Sequence, residues 1–386
     1  MGPLAGVRIV ELGGIGAAPF CCMLLSDLGA EVIRIDRIAA SDIGLDMDQR
    51  FNLIHRGRRS IAMDLKNPRA VDTVKRLVAS ADALIEGFRP GVAERLGLGP
   101  DVCAAINPAL VYGRLTGYGQ DGPLAMAPGH DINYIALSGV LHSIGEKARA
   151  PVPPLNLIGD FAGGALYLAL GVVSAILDAR SSGHGQVVDA AMVDGSASLM
   201  ALCYGMRGGG LFRDERGSNR HDGGAPFYSV YETSDGLHVA LGSNEARFYT
   251  QTLEMLGLAE AGLPPQHDRA GWPEIRERFA AVFRTRTRDE WCALAEGKEV
   301  CISPVLSLEE APRHPHNVAR GTFIERDGVV QPAPAPRFSR TIAQVQCGPA
   351  RVGEHTNDIL ADWGFSADDV AELHRAGAVA ASAGNG

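Results

Sequence analysis

The sequence lacks the marks of several large function classes. Its 386 residues carry seven cysteines, at 21, 22, 103, 203, 292, 301 and 347, an odd count without CxxC spacing. That pattern excludes a disulfide framework and a cysteine-built zinc site, and it fits reduced thiols in a cytoplasmic protein. Neither GxSxG nor HExxH occurs, which removes the common serine-hydrolase elbow and the helical zinc-protease motif. His-Pro-His at 314–316 is too short and too broken by proline to hold a metal, and no metal is expected. Basic residues are in deficit, 36 Lys and Arg against 45 Asp and Glu, so a net charge of −9 argues against a nucleic-acid partner. No apolar run approaches the roughly 20 residues that cross a bilayer. The longest candidate, ALYLALGVVSAILDAR, ends in charge and reads as a buried helix, so no membrane partner is expected. The first residues lack the order of a signal peptide, and the closing AGNG is not a peroxisomal address, which leaves the cytoplasm as the expected location.

What is present is an ordinary globular composition, 46% hydrophobic and 21% charged, at a length that suits two domains. GVRIVELG reads as a strand bounded by glycine, the segment from Pro19 to Gly29 as a helix, and EVIRIDR as a second strand. This βαβ start predicts a parallel sheet. SIAMDL, DALIEGF and ALVYGRLTGYG extend the sheet, and a long apolar helix runs from about 161 to 180. After a further strand and helix the character changes near 205, where GMRGGGLFRDERGSNRHDGGAPF reads as a solvated linker. YSVYETSDGLHVALGS predicts a hairpin with a central turn, followed by helices to about 300. QPAPAPRFS reads as an extended crossing segment, EHTNDILADWGFSADDVAELHRAG as a closing helix pair, and the tail from Ala378 as disordered. The expected division is therefore 1–204 as a large Rossmann-like domain, 205–325 as a linker and small α+β domain, and 326–386 as a segment returning to the large one.

The loop ELGGIGAAPF completes only half of a GxGxxG fingerprint, although Asp36 ends the second strand where a ribose-binding acid would stand. Arg37, the run ending at Lys66, Arg89 and Arg95 lie near the carboxyl ends of predicted parallel strands, and read either as an anion site or as a solvated basic rim. His130, in GHDINY, reads either as a polar cap or as a proton-transfer group. Asp160 precedes the long helix, and reads either as a plain N-cap or as a carboxylate beside free amides at Phe161 and Ala162. Glu245 opens a helix in the second domain, either as a dipole partner or as a group orienting a histidine from elsewhere. Met192, Met200 and Met206 read either as an adaptable apolar wall or as core packing.

In order along the chain, GVRIVELG, LGAEVIRIDR, GRRSIAMDLK, EGFRPGV, GRLTGYGQDGP, GHDINYIALSGVL, PPLNLIGDFAGG, GQVVDAAMVDG, GGAPFYSVY and EARFY resemble the family III coenzyme A transferases (CaiB/BaiF-like), from residue 4 to about 365. Within that family they look like its α-methylacyl-CoA racemase branch. The resemblance implies an interlocked homodimer of α/β subunits, each with a large Rossmann-like parallel-sheet domain and a small α+β domain. It implies an acyl-CoA substrate, coenzyme A as the carrier on that substrate, no separate cofactor, and a place in lipid and fatty acid metabolism. It further implies interconversion of (R)- and (S)-2-methylacyl-CoA by proton transfer through an enolate, with His130 and Asp160 as the transferring pair and Glu245 holding the histidine. Arg37, Met63, Asp64, Leu65, Lys66, Gly87, Phe88, Arg89 and Arg95 match coenzyme A contacts. Gly129, Asp131, Ile132, Asn133 and Tyr134 match the thioester region. The alternative within the family is a CoA transferase in which Asp160 is the nucleophile; the histidine of GHDINY separates the two. One departure is Glu-Ala-Arg-Phe in place of the usual Glu-Pro-Gln-Phe, which puts Arg247 two residues from Glu245.

Overall fold

The computed structural model describes residues 2–39 and 47–382. The chain falls into two compact units, one of residues 1–138, 155–199 and 319–386, the other of 139–154 and 200–318. The sequence offers no sign that the short stretch 139–154 belongs with the second unit.

The first unit is built on seven strands. β1 (Arg8–Leu12), β2 (Glu31–Arg37), β3 (Arg59–Met63), β4 (Ala83–Glu86), β5 (Val111–Thr116) and β6 (Val187–Ala191) are parallel, in the order 3-2-1-4-5-6. This is the doubly wound order of the Rossmann fold. The strands read as almost continuous apolar runs because both faces are covered. Val10, Leu12, Ile33, Ile35, Ile61, Met63, Leu84 and Tyr112 face one core, together with α2 (Pro68–Val78). Ile9, Val32, Ala83, Ile85, Val111 and Leu115 face the other, together with α1 (Ala17–Asp27). Alternation of side chains along each strand sorts these residues to the two faces. The chain reverses its direction of travel across the sheet between β1 and β4, so the loops after these strands flank the crevice where open α/β sheets bind ligands. α3 (Val92–Arg95) and α4 (Pro100–Ile106) lie between β4 and β5, and α5 (Asp131–Leu137) follows β5.

The long apolar helix is longer than the sequence suggests. It begins as a π-type segment, Leu157–Leu166, and continues as α6 (Tyr167–Ser182). Its 26 residues, with an 18-residue window of mean hydropathy 1.7, are long and apolar enough to cross a membrane by length and composition, contrary to the expectation of no such run. In this fold Leu168, Val172, Ala175, Ile176 and Ala179 are instead buried against the sheet. α7 (Met192–Leu199) then packs directly on the π segment.

The second unit carries α8 (Ala201–Gly208) and the predicted hairpin, β7 (Tyr228–Glu232) paired antiparallel with β8 (His238–Gly242). β9 (Ile302–Pro304) joins β8. α9 (Ala246–Leu256), α10 (Trp272–Phe283) and α11 (Arg288–Ala295) close a core around Phe227, Tyr231, Phe279, Phe283 and Trp291. α12 (Pro315–Arg320) straddles the boundary of the two units. The segment read as a solvated linker is knit together: Asn219 is buried, donating to the Arg213 and Glu215 carbonyls and to the Asp222 carboxylate.

The chain returns to the first unit through β10 (Phe323–Arg326) and β11 (Val329–Pro332), an antiparallel pair turning on Asp327–Gly328. Positive φ at both turn residues, 52° and 74°, suits the tight Asp-Gly hairpin turn. The closing helices are α13 (Thr356–Asp362) and α14 (Ala367–Arg375). The tail expected to be disordered forms β12 (Val379–Ala380), an antiparallel edge strand on β3 with Ala378 and Val379 buried. Residues 383–386 of that tail lie outside the described residues.

Candidate active site

The glycine loop after β1 is the floor of the site. Gly13 donates its N–H to the Ile35 carbonyl, and Gly16 adopts φ 71°, a conformation that favours glycine. A Cβ on Gly16 would stand 3.6 Å from Asp160 Oδ2, so Asp160 lies over this loop. The dinucleotide reading fails on Asp36. Its carboxylate accepts from Arg34 Nε at 2.8 and 2.9 Å and from the Ser60 hydroxyl at 2.6 Å, which leaves it engaged within the sheet.

Basic residues gather at neighbouring strand ends. Arg37, exposed, closes β2 in register with Met63 of β3. The Met63 side chain is wholly inside the core, so only its main chain can face a ligand. Asp64 and Lys66 are exposed in the following turn, where Asp64 Oδ1 accepts the Lys66 N–H, and Leu65 packs against the core. After β4 the buried Glu86 accepts the Phe88 N–H at 2.6 Å and Arg114 Nε at 2.9 Å. Arg114 also holds Glu94 on α3. This network fixes the loop from Gly87 that presents Arg89, and the short helix that ends at Arg95; both arginines are exposed. Burial pushes the Glu86 carboxyl above its ordinary range, against the Phe88 N–H and the Arg114 charge.

His130 is the N-cap residue of α5, exposed, in extended backbone with φ −132° and ψ 174°. Its N–H donates to the Asn133 side chain at 3.0 Å and its carbonyl accepts the Asn133 N–H, so Asn133 shapes the cap. Gly129, just before it, must be glycine: a Cβ there would sit 2.8 Å from the Tyr134 ring and 2.9 Å from the Tyr118 hydroxyl. Tyr134 is buried, edge-on to Tyr118. Burial raises its hydroxyl to about 12; Tyr118 and the charge of Asp160 add to that, and the charge of Arg89 opposes it. Ile132 is exposed.

Asp160 is half-buried, and it is not the N-cap that its sequence position suggests. It is the fourth residue of the π-type segment, which Asn156 caps. In that pattern each N–H turns back five residues, so the amides of Phe161 and Ala162 are directed into the helix and are not free donors. Asp160 N–H donates to Asp131 Oδ2 at 2.8 Å, and Asn156 Nδ2 donates to Asp160 Oδ2 at 3.2 Å. Burial raises the Asp160 carboxyl from its ordinary range; the Asn156 bond opposes, the Asp131 charge adds, and a charged His130 opposes. His130 caps the helix that begins at Asp131, and Asp131 is bonded to the Asp160 amide, so the two side chains stand on adjoining segments.

Gly16, Asn156 and Glu86 touch this region without having been singled out from sequence. The glycine loop carried the only visible signal, which was read for a different ligand. Glu245, on the second unit, is the exposed N-cap of α9, and its side chain makes no capping bond. The Arg247 guanidinium lies over the Phe248 ring at 4.4 Å, and among the described residues no ion pair joins it to Glu245. Met192 is core rather than wall: it is half-buried against the sheet and Gly164.

Known proteins resemble the chain along nearly its whole length. The family description CoA-transferase family III matches residues 4–356. Alpha-methylacyl-CoA racemase of Mus musculus is 45% identical over 374 residues, with 96% of each chain covered. The protein of the same name from Homo sapiens is 44% identical over 376 residues, again with 96% of each covered. A crystal structure of a CAIB/BAIF family protein from Brucella suis superposes with a TM-score of 0.79 at 28% identity, covering 94% of this chain and 100% of that one. The chain belongs to CoA-transferase family III.

Proposed function

We propose that the protein is an α-methylacyl-CoA racemase, interconverting (R)- and (S)-2-methylacyl-CoA. The observation that carries this reading is the Asp131 bond that joins the helix capped by His130 to the turn carrying half-buried Asp160, whose carboxyl burial biases toward keeping its proton. Inversion at C2 needs a base on one face of the carbon and an acid on the other. Neutral His130 removes the proton while protonated Asp160 delivers one from the opposite side, and the reverse reaction exchanges their roles. Each such group contributes about a hundred- to ten-thousand-fold. The intermediate is an enolate, whose oxygen needs donors already in place. α5 begins at Asp131, so the amides of Asp131 and Ile132 have no carbonyl within the helix to serve, and in this reading they are assigned to that oxygen.

Arg37, Lys66, Arg89 and Arg95 are assigned to the phosphates of coenzyme A, which arrives as part of the substrate; exposed cations ringing a strand-end crevice suit them. Within the same reading the protein works as a homodimer in the cytoplasm. Seven free thiols suit a reducing compartment. Leu166, Leu170 and Leu177 leave an apolar stripe on the long helix, up to 73% exposed, of the kind that marks an interface. The dimer would bring the partner subunit's Glu245 to His130.

The test is to incubate (S)-2-methylacyl-CoA with the protein in deuterium oxide, after sizing the sample by light scattering. The expected result is racemic thioester labelled at C2, from a species of twice 40.8 kDa. Unlabelled substrate of unchanged configuration would refute the racemase. Acyl transfer with a hydroxylamine-trapped Asp160 would establish the transferase instead.

A further inference from the structure

Asp131 is buried, with 4% of its surface exposed. Its Oδ2 accepts the Asp160 N–H at 2.8 Å, and its Oδ1 is buried without a partner among the described residues. The fit around it is tight. A Cβ on Gly159 would stand 2.7 Å from Oδ2 and 3.2 Å from the Asp131 Cα, so the two segments meet with no space for a side chain. A carboxylate in this position is turned into the protein, so any contact with the thioester region, which the family resemblance implies for this residue, falls to its main chain. It spends one oxygen on the backbone of Asp160 and leaves the other facing no donor. Buried polar atoms are ordinarily paired, and a charged one without a partner needs a reason in the chemistry beside it.

We propose that Asp131 is the positioning residue of the proton-transfer pair: its carboxylate clamps the turn that carries Asp160 to the helix that His130 caps, holding both side chains in one register. The proposal rests on the racemase reading and deepens it. Two consequences follow from the geometry. Loss of the clamp lets the π-type turn move relative to α5. Loss of the charge removes a neighbour that disfavours a second negative charge on Asp160.

Few other groups act here. Asn156 bonds Asp160 directly, a charge on His130 would oppose the rise of its carboxyl, and Tyr134 senses Asp160, Asp131, Arg89 and Tyr118. The elements packed against the turn add little charge. α1 brings Asp27, held by Arg56; β5 brings Arg114, held by Glu86 and Glu94; β6 brings Asp189, which accepts from Gln120; α7 brings Asp194. The sign of the effect is then fixed. With Asp131 neutral, the Asp160 carboxyl gives up its proton at lower pH. The reaction direction in which Asp160 donates therefore fails at lower pH.

The test compares Asp131→Asn, which keeps an acceptor oxygen but no charge, with Asp131→Ala, which keeps neither. The carboxyl of Asp160 is first titrated by NMR in protein labelled at the aspartate carboxyl carbon and assigned with Asp160→Asn, a readout that needs no turnover. In Asp131→Asn its midpoint is expected to fall by about one pH unit. On 2-methylacyl-CoA, kcat is expected to fall about tenfold in Asp131→Asn and about a hundredfold in Asp131→Ala, with KM within about twofold, and the alkaline limb of the kcat profile should move down with the midpoint. An unmoved Asp160 midpoint in Asp131→Asn overturns the proposal, whatever happens to thermal stability. So does a kcat and pH profile equal to wild type. A midpoint that moves in a protein showing no C2 exchange upholds the clamp and sinks the racemase reading instead.

Discussion

At the scale of single residues, the acid of the pair stands on a segment that glycines allow to pack closely against its neighbour. Gly163 and Gly195 let two backbones touch: a Cβ on Gly195 would lie 1.8 Å from the Gly163 carbonyl oxygen, and one on Gly163 would lie 2.7 Å from the Ser196 amide. Backbone cannot yield as a flexible side chain does, so overpacking here costs about 3 kcal/mol or more. Gly195→Ala is expected to lower Tm by roughly 5 °C or more, followed by circular dichroism, and to cut turnover by shifting the π segment. A variant with wild-type Tm and rate would show that the contact does not place Asp160. His130 and Asp160 were legible in the sequence as candidates, and the family resemblance paired them. The clamp between them was not, because it depends on Asp131 and Asp160 meeting across 29 residues of chain.

At the scale of elements, short apolar runs punctuated by glycine made β1 and β2 of the large sheet readable, and alternation about a central turn made the β7–β8 hairpin of the second unit readable, each close to where it was expected. The π-type segment was not readable. LIGDFAGGAL presents the same apolar pattern to a 3.6-residue turn as to a wider one, and the difference comes from α7 pressing on Gly163 and Gly164. β12 is two residues long and becomes a strand only because β3 has a free edge beside it. The loop after β4 is an element of its own kind, shaped by Glu86. Glu86→Gln would keep one acceptor for the Phe88 N–H or Arg114, and lose the charge that holds both. Since the loop carries Arg89 and α3 carries Arg95, KM for acyl-CoA is expected to rise about tenfold with kcat within about twofold, measured by steady-state kinetics. An unchanged KM, or a loss confined to kcat, would separate this loop from substrate binding.

At the scale of the whole molecule, the chain distributes its chemistry over two compact units. The strand-end cations, His130 and Asp160 stand on the first, and Glu245 on the second. Composition bounded this arrangement without specifying it. A length of 386 residues suggested two domains, but nothing local marks residues 139–154 as part of the second, since that assignment depends on contacts with residues far along the chain. The central claim is that one carbon is served from opposite faces by two different groups. Single-enantiomer exchange tests it most directly: His130→Ala and Asp160→Ala are each given pure (R)- and pure (S)-2-methylacyl-CoA in deuterium oxide, and C2 label is measured by mass spectrometry. The account predicts that each variant exchanges the C2 hydrogen of only one enantiomer, and that the two variants choose opposite ones. Exchange of the same enantiomer by both, or full racemisation by His130→Ala, would contradict it.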